Sequence, residues 1–392
     1  MMISRRNFLA VAGAAAAAAA LTACGGSSSS TSTASSTASS AASEAASKIT
    51  KVALTCDTGT IDDESFNQAC WSAVSSYMGK DCQYYIPEAD ASDEDRETMI
   101  RLAVNEGAEV IVCVGYLYGA SLAWAAEQYP NVKFIAIDVT QGDIGTDEIP
   151  SNCYCITFKE EQAGYLAGYA IAKDGKTKLG FLGGMAVPAV IRYGYGFVQG
   201  ADAAAQELGQ NIDINYFYGG QFYGDANITS RMEGWYSNGT QVVFACGGGI
   251  YTSAVDAAKK ANAKVIGVDV DQAGVIAGYA GVEGMTVTSA MKGLYPTTYD
   301  TLTDVIVNGN WDAYKGKIAT LGLVSGDDPE LNYVQIPMGE GTQWSDSFTQ
   351  DDYKAMVKDM FDGKITVSND VSKTPSDFAT VIAVEDQGAI KG

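Results

Sequence analysis

The chain has 392 residues, with 47 acidic and 25 basic side chains and no histidine, so its formal net charge is −22 at pH 7. Such a surplus of negative charge argues against nucleic acid or anionic lipid headgroups as ligands. The lack of histidine excludes Ser-His-Asp and Cys-His catalysis and histidine-ligated metal sites. We therefore expect no catalytic residue, no metal and no cofactor.

The first part of the chain has the pattern of an export signal followed by a tether. Arg5 and Arg6 precede an Ala-rich apolar stretch, which is shorter than the ~20 residues of a membrane-spanning helix. "SRRNFL" resembles a twin-arginine signal, with the general export route left open, and "LTAC" resembles a lipobox that directs lipidation of Cys24. We predict a signal peptide over 1–23, then the lipidated cysteine and a flexible Ser/Ala-rich tether over 24–47. The folded part would be lipid-anchored at the extracytoplasmic face of a bacterial cell membrane.

Beyond Lys48, short apolar runs alternate with longer helical stretches. The strand candidates are, in chain order, KVALTCD, CQYYIP, EVIVCVG, KFIAIDV, CYCITF, KLGFLGG, INYFYGG, QVVFACGGG, KVIGVDVD and TVTSAM. The helical candidates are DESFNQACWSAVSSYMG, SDEDRETMIRLAVNEG, YGASLAWAAEQYP, KEEQAGYLAGYAIAKDG, YGFVQGADAAAQELG, ANITSRMEGWYSNG and IYTSAVDAAKKANA. Ser92 is the expected N-cap of the second helix.

The strand candidates are apolar throughout, which predicts parallel sheets covered on both faces. The roughly 345 residues from Lys48 to Gly392 exceed the ~250–300 at which a single hydrophobic core stops growing. We therefore predict an α/β protein of two doubly wound, Rossmann-like lobes.

Polar residues and glycines follow the predicted strands. They are Asp57, Gly115, Asp138, Gly183, Gly184, Gly247, Gly248, Gly249 and Asp269. Ligands bind at the carboxyl ends of the strands in open α/β sheets, so two lobes facing each other would form a ligand cleft. The glycine runs match neither phosphate-loop pattern, and close approach of the backbone to a ligand or a helix explains them better.

The segment "DTGTIDDESFNQACW" over 57–71 combines acids, amides and aromatic rings after a strand. Phe66 is a candidate for stacking on a planar ligand, and Asn67 for hydrogen bonding to the edge of that ligand. Asp62 or Asp63 could instead cap the following helix. Trp71 belongs to an apolar helix face and is expected in the core.

Asp138 and Asp269 each interrupt an apolar run, where a charge is costly unless it is paired or hydrogen-bonded. One interpretation is that each lobe supplies one of these carboxylates to the hydroxyls of a sugar; the other is that each caps the next helix. Lys292 could neutralise these carboxylates or donate to a ligand oxygen. Most of the seven cysteines after Cys24 lie in apolar runs, which favours buried thiols over disulfides or a metal site.

Five segments resemble the basic membrane protein family of lipoprotein substrate-binding components of ABC importers, which is related to purine-nucleoside receptor lipoproteins. They are DTGTIDDESFNQACW, TFKEEQAGYLAGYAIA, KLGFLGGMAVPAV, VVFACGGGIYTSAVDAA and VIGVDVDQ. The resemblance implies a type I periplasmic-binding-protein fold. Its lobes would comprise 48–157 plus 288–325 and 158–287 plus 326–392, closing on a nucleoside. The implied partners are a purine nucleoside or related small molecule and the ABC permease and ATPase subunits.

The resemblance also implies roles for individual residues. Asp57 and Asn67 would address the edge of the base, and Phe66 and Phe222 would stack on its two faces, with Tyr223 as the alternative to Phe222. The ribose hydroxyls would be held by Asp138 and Asp269, assisted by Lys292 and the backbone at Gly248. Ile250 and Tyr251 depart from the glycine-rich loop of the family and would narrow or reshape the pocket.

Three alternatives stay open at this point. The same fold could bind another ligand class, such as a flavin. A surface lipoprotein of this kind could sense its ligand and signal to a membrane partner without transport. A nucleoside hydrolase that depends on carboxylates alone is the third alternative.

Overall fold

Two parallel sheets, apolar along their central strands, form the framework of the protein. The computed structural model describes residues 49–78 and 81–390, so the predicted signal peptide, Cys24 and the tether lie outside the described residues. The strands of the first sheet are β1 (Val52–Cys56), β2 (Cys82–Tyr85), β3 (Val110–Val114), β4 (Lys133–Ile137), β5 (Cys153–Phe158) and β11 (Lys317–Leu321). They pair in parallel in the order β11-β5-β4-β3-β1-β2.

The second sheet repeats this order. Its strands are β6 (Lys178–Gly183), β7 (Asp213–Tyr218), β8 (Val242–Cys246), β9 (Lys264–Asp269), β10 (Thr286–Lys292), β12 (Val334–Gln335) and β13 (Ala383–Ala389). The order is β12-β10-β9-β8-β6-β7-β13, with β12 antiparallel to β10. The ten predicted strands are thus observed as β1 to β10, and the predicted two-lobed α/β fold is confirmed.

Helices cover both faces of the sheets, as the apolar strands require. They are α1 (Phe66–Met78), α2 (Asp93–Asn105), α3 (Gly119–Gln128), α4 (Gln141–Ile144), α5 (Glu160–Lys173), α6 (Pro188–Leu208), α7 (Ala226–Ser237), α8 (Tyr251–Ala261), α9 (Ala273–Ala280), α10 (Leu294–Ile306) and α11 (Gln350–Phe361). Ser92 is the N-cap of α2, because its side chain accepts a hydrogen bond from the Asp95 N–H. This confirms the predicted cap.

The chain crosses between the two sheets three times. It leaves the first sheet after β5, returns after β10 through α10, which packs against α1, and leaves again after β11. The lobe boundary expected at residue 288 falls inside β10. Since β10 pairs with β9, the whole strand Thr286–Lys292 lies in the second sheet.

The residues after the third crossing close both edges of the second sheet. β12 pairs with β10 at one edge, and β13 pairs with β7 at the other. Neither strand was predicted: β12 has two residues, and most of β13 is exposed. Within the described ranges no helix is long and apolar enough to cross a membrane.

The cysteines confirm the prediction of buried thiols. None of the seven that the structure describes forms a disulfide, and all are buried; they are Cys56, Cys70, Cys82, Cys113, Cys153, Cys155 and Cys246.

Helices α5 and α6 contact each other directly through backbone atoms at glycines. A Cβ atom at Gly168 would lie 2.2 Å from the Phe197 carbonyl oxygen, and one at Gly200 would lie 2.1 Å from that of Tyr165. Real Cβ atoms do not approach backbone so closely. The two helices therefore require glycine where they meet. This contact fixes the position of α5, the helix that follows the first crossing between the sheets.

We predict that Gly168→Ala destabilises the protein by about 1–3 kcal/mol, because the added methyl group forces the two helices apart. Gly234→Ala is the matched control, since Gly234 also lies within a helix but a Cβ there would meet nothing within 4 Å. That control should be stabilising by ~0.5–1 kcal/mol through helix propensity. Urea unfolding measures both values, and a Gly168→Ala variant as stable as the control would contradict the close packing.

Candidate functional site

A cavity of about 730 Å³ lies at the carboxyl ends of both sheets, with walls from both lobes. The structure brings all eight predicted ligand-binding residues to its wall; they are Asp57, Phe66, Asn67, Asp138, Phe222, Gly248, Asp269 and Lys292. Their clustering follows from the topology, because parallel strands in each sheet end at the same edge. The ligand contacts of these residues stay predictions.

Asp57 follows β1 and is held over the end of β3. Its Oδ2 atom accepts a hydrogen bond from the Leu117 N–H at 2.9 Å. Gly115 has φ +117°, and a Cβ atom there would lie 2.1 Å from the carboxyl carbon of Asp57. Burial raises the pKa of Asp57 to about 7, against the hydrogen bond from Leu117, which lowers it. A residue larger than glycine at position 115 would therefore collide with the Asp57 carboxyl group and displace it.

The start of α1 combines a helix cap with cavity residues. The Asp63 carboxylate accepts hydrogen bonds from the N–H groups of Ser65, Asn67 and Gln68, each at 3.0 Å. Of the two candidate caps, Asp63 therefore takes this role. The Asn67 side chain donates from Nδ2 to the Thr58 carbonyl oxygen at 2.9 Å. Its Oδ1 atom is buried and has no hydrogen-bond partner among the residues that the structure describes.

Lys292, at the end of β10, is the centre of a buried ion cluster. Its Nζ atom lies 2.6 Å from Asp138 Oδ2, 3.3 Å from Glu160 Oε1 and 3.8 Å from Asp269 Oδ1. Arg192 Nε lies 2.7 Å from the other oxygen of Glu160. The cluster corresponds to the neutralising role that was one of the two expectations for Lys292. Its ammonium group also lies 4.5 Å from the centroid of the Phe66 ring, within the range of a cation–π contact.

Burial and the neighbouring charges shift the pKa values of this cluster in opposite directions. Burial opposes the charge of Lys292, but Asp138, Glu160 and Asp269 together raise its pKa above the ordinary value. Burial raises the pKa of Asp138 to about 6, although Lys292 lowers it. The ammonium group therefore stays charged and offsets part of the cost of three carboxylates in one buried volume.

Asp138 and Asp269 occupy equivalent positions in the two lobes, at the ends of β4 and β9, and both adopt left-handed φ angles of 61° and 66°. Neither caps a helix, since the N-caps of α4 and α9 are Thr140 and Gln272, so the capping alternative is wrong. Asp269 accepts from Ser65 Oγ at 2.8 Å. Asp138 Oδ1 is buried and lacks a hydrogen-bond partner in the described part of the chain.

The Phe222 ring packs against the backbone of the glycines that follow β6 and β8. A Cβ atom at Gly184 would be 2.4 Å from its ring, and one at Gly247 would be 2.8 Å from it. The glycine runs thus allow a close approach, but the neighbour is an aromatic side chain and not the ligand or helix that was expected. Tyr223 also lines the cavity and is 54% exposed.

Of the two residues expected to narrow the pocket, Tyr251 lines the cavity and Ile250 does not. Ile250 is fully buried in the apolar core of the second lobe, where it lies against Gly219. The expectation for Ile250 is therefore wrong, because its side chain fills the core beneath the loop.

Sequence reasoning missed several members of the site. Glu160 and Arg192 complete the ion cluster, the Tyr193 hydroxyl donates to Asp269 Oδ1 at 3.3 Å, and Ser65 donates to Oδ2 of the same carboxylate. Glu160 lies in the segment "TFKEEQ", whose paired acids at the start of a helix indicate a first-turn position and no more. Nothing local in the sequence connects it to a lysine 132 positions away.

We predict that Asp57→Asn weakens the pH dependence of stability. An unfolded aspartate releases its proton near pH ~4, whereas folded Asp57 retains it to about pH 7. The folded state holds more protons between these values, so this group makes the protein less stable as the pH rises. The free energy of unfolding in urea should be lower at about pH 8 than at about pH 6, and Asp57→Asn should reduce the difference. Exposed Asp351→Asn is the control, and equal pH dependence in both variants would contradict the assignment.

Lys292→Met should destabilise the protein by about 3–5 kcal/mol at about pH 8, because it leaves buried carboxylates without their cation. The loss should shrink at about pH 5, where Asp138 becomes protonated and repels its neighbours less. Lys364→Met, which removes an exposed partner of Asp359, should leave stability unchanged. A loss for Lys292→Met that does not vary with pH would indicate a packing effect in place of the electrostatic one.

Two equivalent lobes with a cavity between them have the type I periplasmic-binding-protein fold. A family model, Bmp, described as ABC transporter substrate-binding protein PnrA-like, matches residues 49–327. The chain belongs to this family of ABC transporter substrate-binding proteins, which confirms the resemblance found in its sequence. The family consists of substrate-binding proteins rather than enzymes.

Individual relatives agree with this assignment. The ABC transporter nucleoside-binding protein BmpA of Lactococcus lactis is 29% identical over 336 residues, 81% of this chain and 88% of the relative. Basic membrane protein A of Borreliella burgdorferi is 30% identical over 233 residues, 58% of this chain and 65% of the relative. An ABC transporter solute-binding protein of Aeropyrum pernix superposes with a TM-score of 0.61 at 22% identity, covering 84% of this chain and 90% of that one.

Proposed function

We propose that this substrate-binding protein takes up a purine nucleoside in the cavity and delivers it to the permease and ATPase of an ABC importer. In this proposal the lipid on Cys24 anchors the protein at the extracytoplasmic face of the membrane. The observation that carries the ligand assignment is a pair of buried acceptor atoms, Asn67 Oδ1 and Asp138 Oδ1, in the wall of a cavity that also contains two phenylalanines. A buried acceptor without a partner costs free energy that a ligand donor would recover.

The acceptors suit two different parts of a nucleoside. The amide of Asn67 is oriented by its bond to Thr58, so its oxygen would accept from an N–H group at the edge of the base. Asp57 directly precedes Thr58, the residue to which Asn67 is bonded, and would act on the same edge. In this arrangement the base lies between Phe66 and Phe222, because aromatic rings of this kind stack on the faces of purines.

The ribose would lie against the strand-end aspartates. Asp138 Oδ1 accepts from one hydroxyl and Asp269 from another, while Lys292 and the backbone at Gly248 assist. Because Asp138 and Asp269 belong to different lobes, one sugar would contact both and favour the closed arrangement of the lobes. The name of the Lactococcus relative, a nucleoside-binding protein, supports the same ligand class.

The ligand is tested by calorimetric titration of protein that has been unfolded and refolded to remove any copurified molecule. The titrants are adenosine, guanosine, inosine, cytidine, uridine and riboflavin. Saturable one-to-one binding of a purine nucleoside supports the proposal. Binding of riboflavin with no response to the nucleosides would contradict it and favour the flavin alternative.

In the same titration, Phe66→Ala should weaken purine nucleoside binding by roughly 5- to 150-fold, because stacking on one base contributes ~1–3 kcal/mol. Asp269→Asn should also weaken binding, through the loss of a charged acceptor for ribose, and should leave the fold intact. The controls Phe361→Ala and Asp351→Asn alter exposed residues of the same types outside the cavity. If both cavity variants bind as tightly as the controls, the assignment of the site is wrong.

A further inference from the structure

Two segments that distinguish this sequence contain buried polar residues to which no ligand contact has been assigned. Ser65 lies in "DTGTIDDESFN" and Gln272 ends "VIGVDVDQ"; they are 1% and 0% exposed. Neither belongs to the wall of the cavity as the described residues form it. Buried polar side chains are costly unless they are hydrogen-bonded, so their partners indicate what they do.

Their partners lie in the opposite lobe. Ser65, which directly precedes α1 of the first lobe, donates from Oγ to Asp269 Oδ2 of the second lobe at 2.8 Å. Gln272, in the second lobe, donates from Nε2 to the Glu64 carbonyl oxygen of the first lobe at 3.0 Å. These two hydrogen bonds connect the lobes directly through protein atoms, beside the cavity.

The second lobe holds Gln272 in one orientation. Its Oε1 atom accepts from the Val268 N–H at 2.9 Å, which directs Nε2 toward the first lobe. Its own N–H donates to Ser289 Oγ at 3.1 Å. Gly267 provides the space for this side chain, since a Cβ atom there would lie 2.9 Å from it. The donor is therefore positioned by the second lobe alone, before any contact with the first.

The first lobe also holds the acceptor of this bond, the Glu64 carbonyl oxygen, in one position. Glu64 adopts a left-handed φ of 54°, which is costly for a residue other than glycine and persists only where its surroundings enforce it. Asp63 fixes the turn by accepting from three N–H groups, those of Ser65, Asn67 and Gln68. Phe66 and Asn67 follow immediately and belong to the cavity wall. A bond to this turn thus acts on the residues that face the ligand.

We propose that Ser65 and Gln272 are positioning residues that latch the closed lobes and hold Phe66 and Asn67 against the ligand. The proposal deepens the proposed function and rests on closure of the lobes around a ligand. The latch exists in the closed state alone, so it acts on ligand release and on the population of closed protein. Encounter with the ligand takes place in the open state, so a weaker latch does not slow association.

The test uses residues 48–392, which form one compact unit. Ser65→Ala and Gln272→Met are compared with the wild type and with Gln343→Met, whose amide bonds backbone oxygens of Gly284 and Thr286 within the second lobe. Stopped-flow measurements with adenosine, guanosine and inosine give association and release rates. Small-angle scattering gives the radius of gyration with and without each nucleoside.

Each latch variant should release the bound nucleoside roughly tenfold faster and should associate no more slowly than the wild type, because one interlobe hydrogen bond is lost. Without ligand, each latch variant should also have a larger radius of gyration than the wild type. Gln343→Met should change neither property, even where it lowers the melting temperature. If Gln272→Met fails to fold, Ser65→Ala alone tests the latch, since it removes one hydroxyl group.

The two proposals fail in different ways. A wild type that binds nucleosides while both latch variants release them at the wild-type rate overturns the latch and leaves the proposed function standing. A wild type that binds none of the three nucleosides overturns the proposed function. In that case the scattering of the ligand-free proteins decides on the latch, and equal radii of gyration for the wild type and both variants overturn it.

Discussion

The buried ammonium group of Lys292 allows three carboxylates to lie close together at the centre of this protein. Carboxylates from both lobes lie within 3.8 Å of it, in a volume from which water is largely excluded. Without a cation, ionised carboxylates so close together would repel one another at low dielectric. Arg192 adds a second cation through Glu160. The arrangement keeps carboxylates available in an enclosed site, where acceptors form their strongest hydrogen bonds.

The repeated topology of the lobes explains both the symmetry and the asymmetry of the cavity. Equivalent strands end in Asp138 and Asp269, so each lobe contributes one carboxylate to the same cluster. The neighbouring strand ends differ: in the first lobe the Asp57 carboxyl group lies over Gly115, and in the second the Phe222 ring lies over Gly247. In the proposed complex the two equivalent aspartates bind the similar hydroxyls of a ribose. The Asp57 carboxyl group and the Phe222 ring, which are not equivalent, contact the edge and the face of the base.

Much of the fold was predictable because its central strands are buried on both faces. Runs such as Val110–Val114 carry no polar residue, and parallel pairing is the arrangement that such runs favour. The same topology made the strand-end residues predictable as a group. The missed elements lack this signal: β11 is largely exposed, and α10 buries hydroxyl groups at Thr297, Thr298 and Thr301, so its apolar pattern is interrupted. The place of Glu160 in the ion cluster was not predictable for a different reason, since Glu160 and Lys292 meet through tertiary structure alone.

A crystal structure of residues 48–392 grown with inosine would show directly whether a purine nucleoside is held between the lobes. We expect the base between the Phe66 and Phe222 rings, the Asn67 side-chain oxygen at its edge, and ribose hydroxyls within hydrogen-bonding distance of Asp138 and Asp269. A nucleoside bound elsewhere, or bound in the cavity with its ribose away from both aspartates, would contradict the proposal.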